Sequence, residues 1–268
     1  MLKNNKNQSI LWDAKYEKAG NYNSPNDFFK FAEINPTIVA IKPYIKEGMS
    51  ILEVGSGTGE LISYLQYTHP KVKTYGLDFS SVSISNSKIN SQKFNIPVSF
   101  TERDINNMQF ENEYFDIVFG DQVLAHLDNL DLALKEIYRV TKKGGIVAFT
   151  SANKLRPDGW YLYKKLSKTH EGYKQESFFP WELRRILSNA GFINKNYYGE
   201  VLFLTRNLKL IKNLFRKGNE NSFDKSPGGS ADLTRKVKGK SFFKKTYHYL
   251  ENITPAFFKV TIGVLARK

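Results

Sequence analysis

One short loop and a series of acids carry the spacing that points to chemistry. Glu53-Val54-Gly55-Ser56-Gly57-Thr58-Gly59 sets three glycines at alternate positions. Glycine permits positive φ and lets a ligand approach bare backbone. A helix starting directly behind such a loop presents unpaired N–H groups to an anion, either a pyrophosphate or a carboxylate. The dinucleotide fingerprint G-x-G-x-x-G wants its third glycine at position 60, which is Glu60. A P-loop would end in Gly-Lys-Ser/Thr, which the sequence does not do. Glycine turns are also ordinary punctuation, so the loop takes its meaning from its companions. Asp78 stands 19 residues beyond Gly59, at the end of the next apolar run. A carboxylate placed there accepts hydrogen bonds from two ribose hydroxyls. Asp104 follows a third run and Asp116 begins a fourth.

These residues meet only if their elements bring the loops to one end of a sheet. Short apolar runs predict strands at 49–54, 72–77, 98–101, 114–119 and 146–150, with another inside 192–204 and a last over 257–266. Helical patterns cover 58–67, 80–94, 130–140 and 180–189. Gly144-Gly145 reads as a helix stop. Upstream, apolar residues recur at helical spacing from Pro25 to Ile45, with Ser24 as N-cap and Pro25 in the first position. Pro36 and Pro43 divide or kink that stretch. Strand and helix alternate without hairpin turns, the pattern of a parallel sheet with helices on both faces. Residues 151–179 form a long connection rich in Tyr and Lys, and no internal repeat is visible.

Taken together, the set resembles the class I S-adenosylmethionine-dependent methyltransferases, and more narrowly the group that includes ubiquinone and menaquinone methyltransferases. The residues that carry the likeness are Leu52 to Gly59, Gly76-Leu77-Asp78-Phe79-Ser80, Arg103-Asp104-Ile105, Phe115 to Val118, Leu124-Ala125-His126-Leu127 and Val140 to Gly145. A fainter echo runs from Trp181 to Phe192, so the likeness covers most of residues 45–204. It implies a Rossmann-like, doubly wound, mostly parallel seven-stranded sheet with helices on both faces and an antiparallel last strand. It implies S-adenosylmethionine as cofactor and S-adenosylhomocysteine as product. Glu53 and the backbone of Gly55, Ser56, Gly57, Thr58 and Gly59 would hold the methionine part. Asp78 would bind the ribose, with Phe79 against the adenine. Asp104 would take the adenine amino group, with Ile105 beside the ring. Asp121 and Gln122 would face the methyl end. Asp116, at a strand start away from the ligand-binding ends, reads as structural.

Methyl transfer is an in-line displacement, so geometry carries much of the rate, and a base is needed only when the nucleophile must lose a proton. His126 is the candidate base, because imidazole titrates near neutrality; its other reading is a residue that orders the loop after the fourth strand. Asp121 is the second catalytic candidate, as a carboxylate beside positive charge. Tyr16, Tyr22 and the stretch Trp160 to Tyr163 are placed to form an aromatic lid on the acceptor side, against the alternative of ordinary packing; Trp12, Asp13 and Tyr16 resemble the N-terminal cap of some relatives. Four scattered histidines without carboxylate spacing argue against a metal site.

Composition bounds the rest. The chain has 268 residues, no cysteine, and a net charge of +14. Disulfides, thiolate metal sites and cysteine nucleophiles are excluded. Lysine dominates the basic residues, which an AT-rich genome would also produce. Twelve Lys and Arg against three acids fall in residues 205–250 alone. There Leu204, Leu208, Ile211 and Phe215 lie at helical spacing with Lys209, Lys212 and Arg216 between them. Such a basic amphipathic helix suits an anionic membrane surface, and equally a surface helix packed on its own domain. A nucleic-acid role is the third reading. Against it, Gly120-Asp121-Gln122-Val123 lacks the Asn/Asp-Pro-Pro-aromatic motif of base amino methyltransferases, and there is no cysteine for C5 attack. The expected layout is a single domain over 1–268: a helical cap to 45, a cofactor-binding core over 46–204, a basic insertion over 205–250 and a last strand over 251–268. With no signal peptide and no apolar run long enough to span a bilayer, the expected location is the cytoplasm, with peripheral membrane contact as an option.

Overall fold

The computed structural model describes residues 10–17, 22–155, 176–199 and 261–268. Residues 10–16 are helical and form α1. The helical stretch over 25–45 is divided into short turns: α2 (Pro25–Phe28), a 3₁₀ turn at Ala32–Ile34, α3 (Pro36–Ile41) and a second 3₁₀ turn at Lys42–Tyr44. Proline is the cause. It has no N–H to continue a helix, and it pushes the preceding residue toward extended backbone. Asn35, before Pro36, accordingly sits at φ −62° and ψ 129°. Its side chain then caps α3, with Oδ1 accepting from the N–H groups of Thr37 (2.9 Å) and Ile38 (3.3 Å).

The sheet consists of β1 (Ser50–Val54), β2 (Lys73–Asp78), β3 (Ser99–Glu102), β4 (Phe115–Gly120), β5 (Thr141–Ala152), β6 (Ile193–Tyr198) and β7 (Thr261–Arg267). Its order is β3-β2-β1-β4-β5-β7-β6. The β1–β2, β1–β4, β2–β3 and β4–β5 pairs are parallel, and β7 is antiparallel to both β5 and β6. Helices α4 (Glu60–Thr68), α5 (Ser81–Lys93), α6 (Leu130–Val140) and α7 (Pro180–Asn189) fill the connections. The mostly parallel, seven-stranded, doubly wound arrangement is the one expected.

The period of two along each strand divides the core into two layers. Leu52, Val54, Val118, Val147 and Phe149 face α6 and α7, packing with Leu134, Ile137, Leu183 and Leu187. Ile51, Ile117, Phe119, Ile146 and Ala148 face the opposite way, onto Ile62 and Leu65 of α4, Ile84 of α5, and Phe28, Ile38 and Ile41 of the N-terminal turns. One expectation fails here. Gly144 and Gly145 do not stop α6; that helix closes at Thr141, whose N–H bonds to the Ile137 carbonyl. The glycines lie inside β5, where the register against β4 advances from Thr141 to Ile146 while β4 advances only from Phe115 to Ile117. Gly144, at φ +74°, takes up the extra residues as a bulge.

Asp116 braces the opposite end of the sheet from the ligand loops. Its carboxylate accepts from Ser50 N–H at 2.8 Å and pairs with the Lys142 ammonium at 2.8 Å. The pair is partly exposed and therefore contributes little. Asp116→Ala should lower stability in urea by about 1–2 kcal/mol, chiefly through the orphaned Ser50 N–H. Ligand affinity at the far end of the sheet should stay within about twofold; a larger drop in titration would refute a purely structural role. Among the described residues, no helix is long and apolar enough to cross a membrane, and no three potential ligands cluster as a metal site would need.

Candidate functional site

β1 ends at Val54, and the chain turns through Gly55, Gly57 and Gly59 at φ +67°, +52° and +78° before α4 begins. A side chain at any of the three would collide. A Cβ on Gly55 would lie 2.6 Å from a Val123 methyl, one on Gly59 would lie 2.6 Å from the Phe100 ring, and one on Gly57 would lie 2.9 Å from the Tyr16 hydroxyl. The loop is therefore bare for three reasons: close approach of the β4 loop, packing on β3, and the seat of Tyr16.

Glu53 ends up 2% exposed, its carboxylate accepting from the N–H of Ile62 at 3.0 Å in the first turn of α4. The positive end of that helix favours an anion, but burial dominates and drives the Glu53 carboxyl well above its usual range. The sign of the linkage follows. A carboxylate whose folded pKa is raised contributes stability that is fully present below its ordinary value, near 4.5, and lost as pH climbs through the folded value. Glu53→Gln keeps the acceptor for Ile62 and removes the titration. Thermal melts from pH 4 upward should show wild type losing stability relative to Glu53→Gln; parallel curves would contradict this.

Asp78 closes β2 and is 4% exposed. Its Oδ2 accepts from Gly57 N–H at 2.9 Å and its Oδ1 from Ser80 N–H at 3.0 Å. Burial raises its pKa, with those backbone donors pulling the other way. Asp104, beyond β3, accepts from both the backbone N–H and the side-chain amide of Asn106 at 2.8 Å. A cavity of about 520 Å³ opens over these carboxyl ends. Gly55, Asp78, Phe79, Asp104, Ile105, Asp121, Gln122, His126 and Tyr16 all line it, together with Leu77 and Trp12. Its described walls hold five carboxylates (Asp78, Glu102, Asp104, Asp121 and Asp128) against two cations, Lys15 and Arg103. The site is thus acidic in a chain of net charge +14.

The segment after β4 forms the rest of the wall. Asp121 accepts from the Asn35 side-chain amide (3.2 Å), the Thr37 hydroxyl (3.3 Å) and the Thr150 hydroxyl. Gln122 takes a left-handed φ of +59°, a conformation that costs a non-glycine residue about 1–3 kcal/mol. His126 lies at the end of a 3₁₀ turn, with its ring edge-to-face on Trp12 at 4.9 Å.

Helix α1 roofs the cavity. Asp13 accepts from the Ser80 hydroxyl and from Val82 N–H, at the start of α5. Asn86 of α5 donates to the Tyr16 carbonyl at 2.9 Å. Burial, then the nearby Asp78, Glu53 and Glu60 charges, push the Tyr16 hydroxyl above the ordinary tyrosine range, so it stays neutral. Tyr22 stands elsewhere: its hydroxyl donates to Glu60 and its ring packs on Phe28 at 4.9 Å. Glu53, Ser56, Gly57, Thr58 and Gly59 shape the loop from behind rather than lining the cavity. Trp160 and residues 205–250 lie outside the described residues.

Sequence reasoning missed Asn35, Thr37 and Thr150, which bond to Asp121 from the start of α3 and from β5. Asn-Pro is a turn and cap signal, and Thr150 sits at the carboxyl end of a predicted strand, where such sheets bind ligands. Nothing local says that both reach Asp121. Lys15, whose ammonium lies 4.1 Å from the Trp12 ring centroid, was likewise not signalled.

A family model described as a methyltransferase domain matches residues 45–219. Malonyl-[acyl-carrier protein] O-methyltransferase of Pectobacterium atrosepticum is 26% identical over 155 residues, 56% of this chain and 56% of that protein. Ubiquinone biosynthesis O-methyltransferase of a Chelativorans species is 27% identical over 170 residues, 60% of this chain and 65% of that protein. The chain thus spans less than two thirds of the length of these curated relatives. A solved structure described as a SAM-dependent methyltransferase and possible histamine N-methyltransferase, from Thermotoga maritima, superposes with a TM-score of 0.60 at 18% identity, covering 97% of this chain and 99% of that one. At that identity the likeness is one of fold.

Proposed function

The chain belongs to the methyltransferase-domain family, and from that premise we propose that it transfers a methyl group from S-adenosylmethionine to a small-molecule or lipid-linked acceptor by in-line displacement. The observation that carries the reading is the acidic cavity at the carboxyl ends of β1, β2 and β4, with Asp78 and Asp104 in its wall. Those residues fit an adenosine: carboxylate acceptors for hydroxyls and an amino group, and apolar faces from Leu77, Phe79 and Ile105 for a ring. The surplus of carboxylates suits a ligand that carries positive charge.

When bound, the cofactor supplies a methyl group activated on a sulfonium. The chain's own part is to bind, orient and exclude water. In this reading Asp78 takes the ribose hydroxyls, Asp104 the adenine amino group, and the Gly55 backbone with Gln122 the methionine end. Asp121 stands as a fixed negative charge toward the transfer site. His126 removes a proton where the acceptor must lose one, and otherwise orders its loop against Trp12. Trp12 and Tyr16 form the dry roof, with Trp160 assigned to the acceptor side on sequence alone.

The acceptor class is supported by the names of the relatives, a malonyl-[acyl-carrier protein] methyltransferase and a ubiquinone biosynthesis methyltransferase. On sequence alone, residues 205–250 belong to the same proposal, as an insertion within a single domain that touches an anionic membrane through its basic face. Calorimetric titration with S-adenosylhomocysteine, followed by incubation with methyl-labelled S-adenosylmethionine and separated small-molecule, lipid and RNA fractions, tests the reading. Binding, with label in the small-molecule or lipid fraction, is expected. No binding, or label confined to RNA, would overturn it. Co-sedimentation with phosphatidylglycerol vesicles, lost at high salt, is the expected membrane result.

A further inference from the structure

The three residues after β4 are held from more directions than a surface loop requires. Thr150 is fully buried near the carboxyl end of β5. Its one hydroxyl is used both ways: it accepts from Gln122 N–H at 3.0 Å and donates to the Asp121 carboxylate. The other Asp121 oxygen accepts from Asn35, the cap of α3, and Thr37 of the same helix adds a second donor to the first. Val123 wedges its two methyl groups over the bare backbones of Gly55 and Gly120; a Cβ on either glycine would lie 2.6 or 2.5 Å from them. Between these anchors Gln122 is kept at φ +59°. A strained backbone persists only where its surroundings over-determine it, and such residues gather at functional sites.

We infer that Thr150 is a positioning residue for the transfer site, holding Asp121 and the left-handed Gln122 in the cavity wall through its single hydroxyl. The inference rests on the methyltransferase reading for what the wall is for. The geometry that carries it, a donor–acceptor bridge onto a strained residue, holds in the chain alone. Asn35 and Thr37 extend the bridge to the N-terminal turns, so the same carboxylate ties α3 to the β4 loop.

The test uses the full chain and two readouts: amide hydrogen exchange at residues 121–123 without ligand, and S-adenosylhomocysteine affinity by calorimetry. Thr150→Val keeps the shape and removes the bridge. It should speed exchange at Gln122 about tenfold and weaken affinity about fivefold or more, while Thr150→Ser restores both to within about twofold. If Thr150→Val is unchanged in both readouts, or if Thr150→Ser behaves like Thr150→Val, the inference falls. Should Thr150→Val fail to fold, Gln122→Gly decides. Glycine accepts the left-handed backbone freely, so the melting temperature should hold or rise while affinity drops. A fall in both would mark the loop as structural only and overturn the assignment. Wild-type chain that bound no S-adenosylhomocysteine would sink the methyltransferase reading, and with it the role in transfer. Normal wild-type binding with unchanged exchange in Thr150→Val would sink this inference alone.

Discussion

Asp78→Ala should weaken S-adenosylhomocysteine binding about a hundredfold or more, the largest affinity loss expected from any single replacement in the cavity. The reason is cumulative. The carboxylate is nearly buried and already organises two backbone donors, Gly57 N–H and Ser80 N–H. Its remaining acceptor capacity is what a ribose would use. Charge-assisted bonds from a fixed carboxylate to two hydroxyls contribute about 1.5–3 kcal/mol each. Alanine removes them and also frees the glycine loop at Gly57. Asp78→Asn separates these effects: it keeps the shape and one acceptor, but turns an amide N–H toward a backbone donor, so an intermediate loss is expected. Because burial raises the Asp78 pKa, affinity in wild type should decline as pH falls through that raised value, and Asp78→Asn should flatten the decline. Titration calorimetry at several pH values measures all three. An Asp78→Ala affinity within about threefold of wild type would remove Asp78 from the binding site.

Gly59→Ala is expected to cost about 2–4 kcal/mol of fold stability, the largest stability effect in the loop. Gly59 stands at φ +78° as the residue preceding α4, where an L side chain is strained. Its Cβ would also lie 2.6 Å from the ring tip of Phe100, which is buried on β3 in the layer beneath α4 and α5. The two costs separate in a double mutant. Phe100→Leu withdraws the ring tip, so Gly59→Ala in that background should lose only the conformational part, about 1–2 kcal/mol. Urea unfolding of the four proteins of the cycle gives the answer. A Gly59→Ala cost below about 1 kcal/mol, or no coupling with Phe100, would show that this glycine is kept for something other than packing.

Much of the architecture was legible because it rests on local periodicities. The near-continuous apolar runs of Ser50–Val54 and Phe115–Gly120, buried on both faces, the apolar spacing of Leu130–Val140, and glycine after the first strand each report on their own neighbourhood. Elsewhere local rules collided. Over 25–45 apolar spacing argued for helix and Pro36 and Pro43 for division, and the prolines prevailed. Gly144-Gly145 looked like a helix stop and became a strand bulge, because the flanking residues Thr141 and Ile146 pair with β4 and the two glycines bond to Lys268 just beyond β7.

The site divides along the same line. Its acids were predictable in kind and in order: Asp78 ends a strand, Asp104 and Asp121 follow two others, and a parallel sheet must bring such positions to one edge. That much the amino-acid sequence determined by itself, since strand direction and crossover handedness leave few alternatives. What each acid touches was decided only in three dimensions. Asp121 is bonded by Asn35 and Thr37, from 86 and 84 residues away, and by Thr150 from 29. Tyr16 lies on Gly57, and Asp13 on Ser80. No local pattern encodes such pairs, because hydrogen bonding depends on where the whole backbone places a donor to within a few tenths of an ångström. Glu53 and Asp78 show the same limit: both stand at the carboxyl end of a strand, within a residue of its close, yet packing turned one into the α4 helix start and the other into the cavity wall.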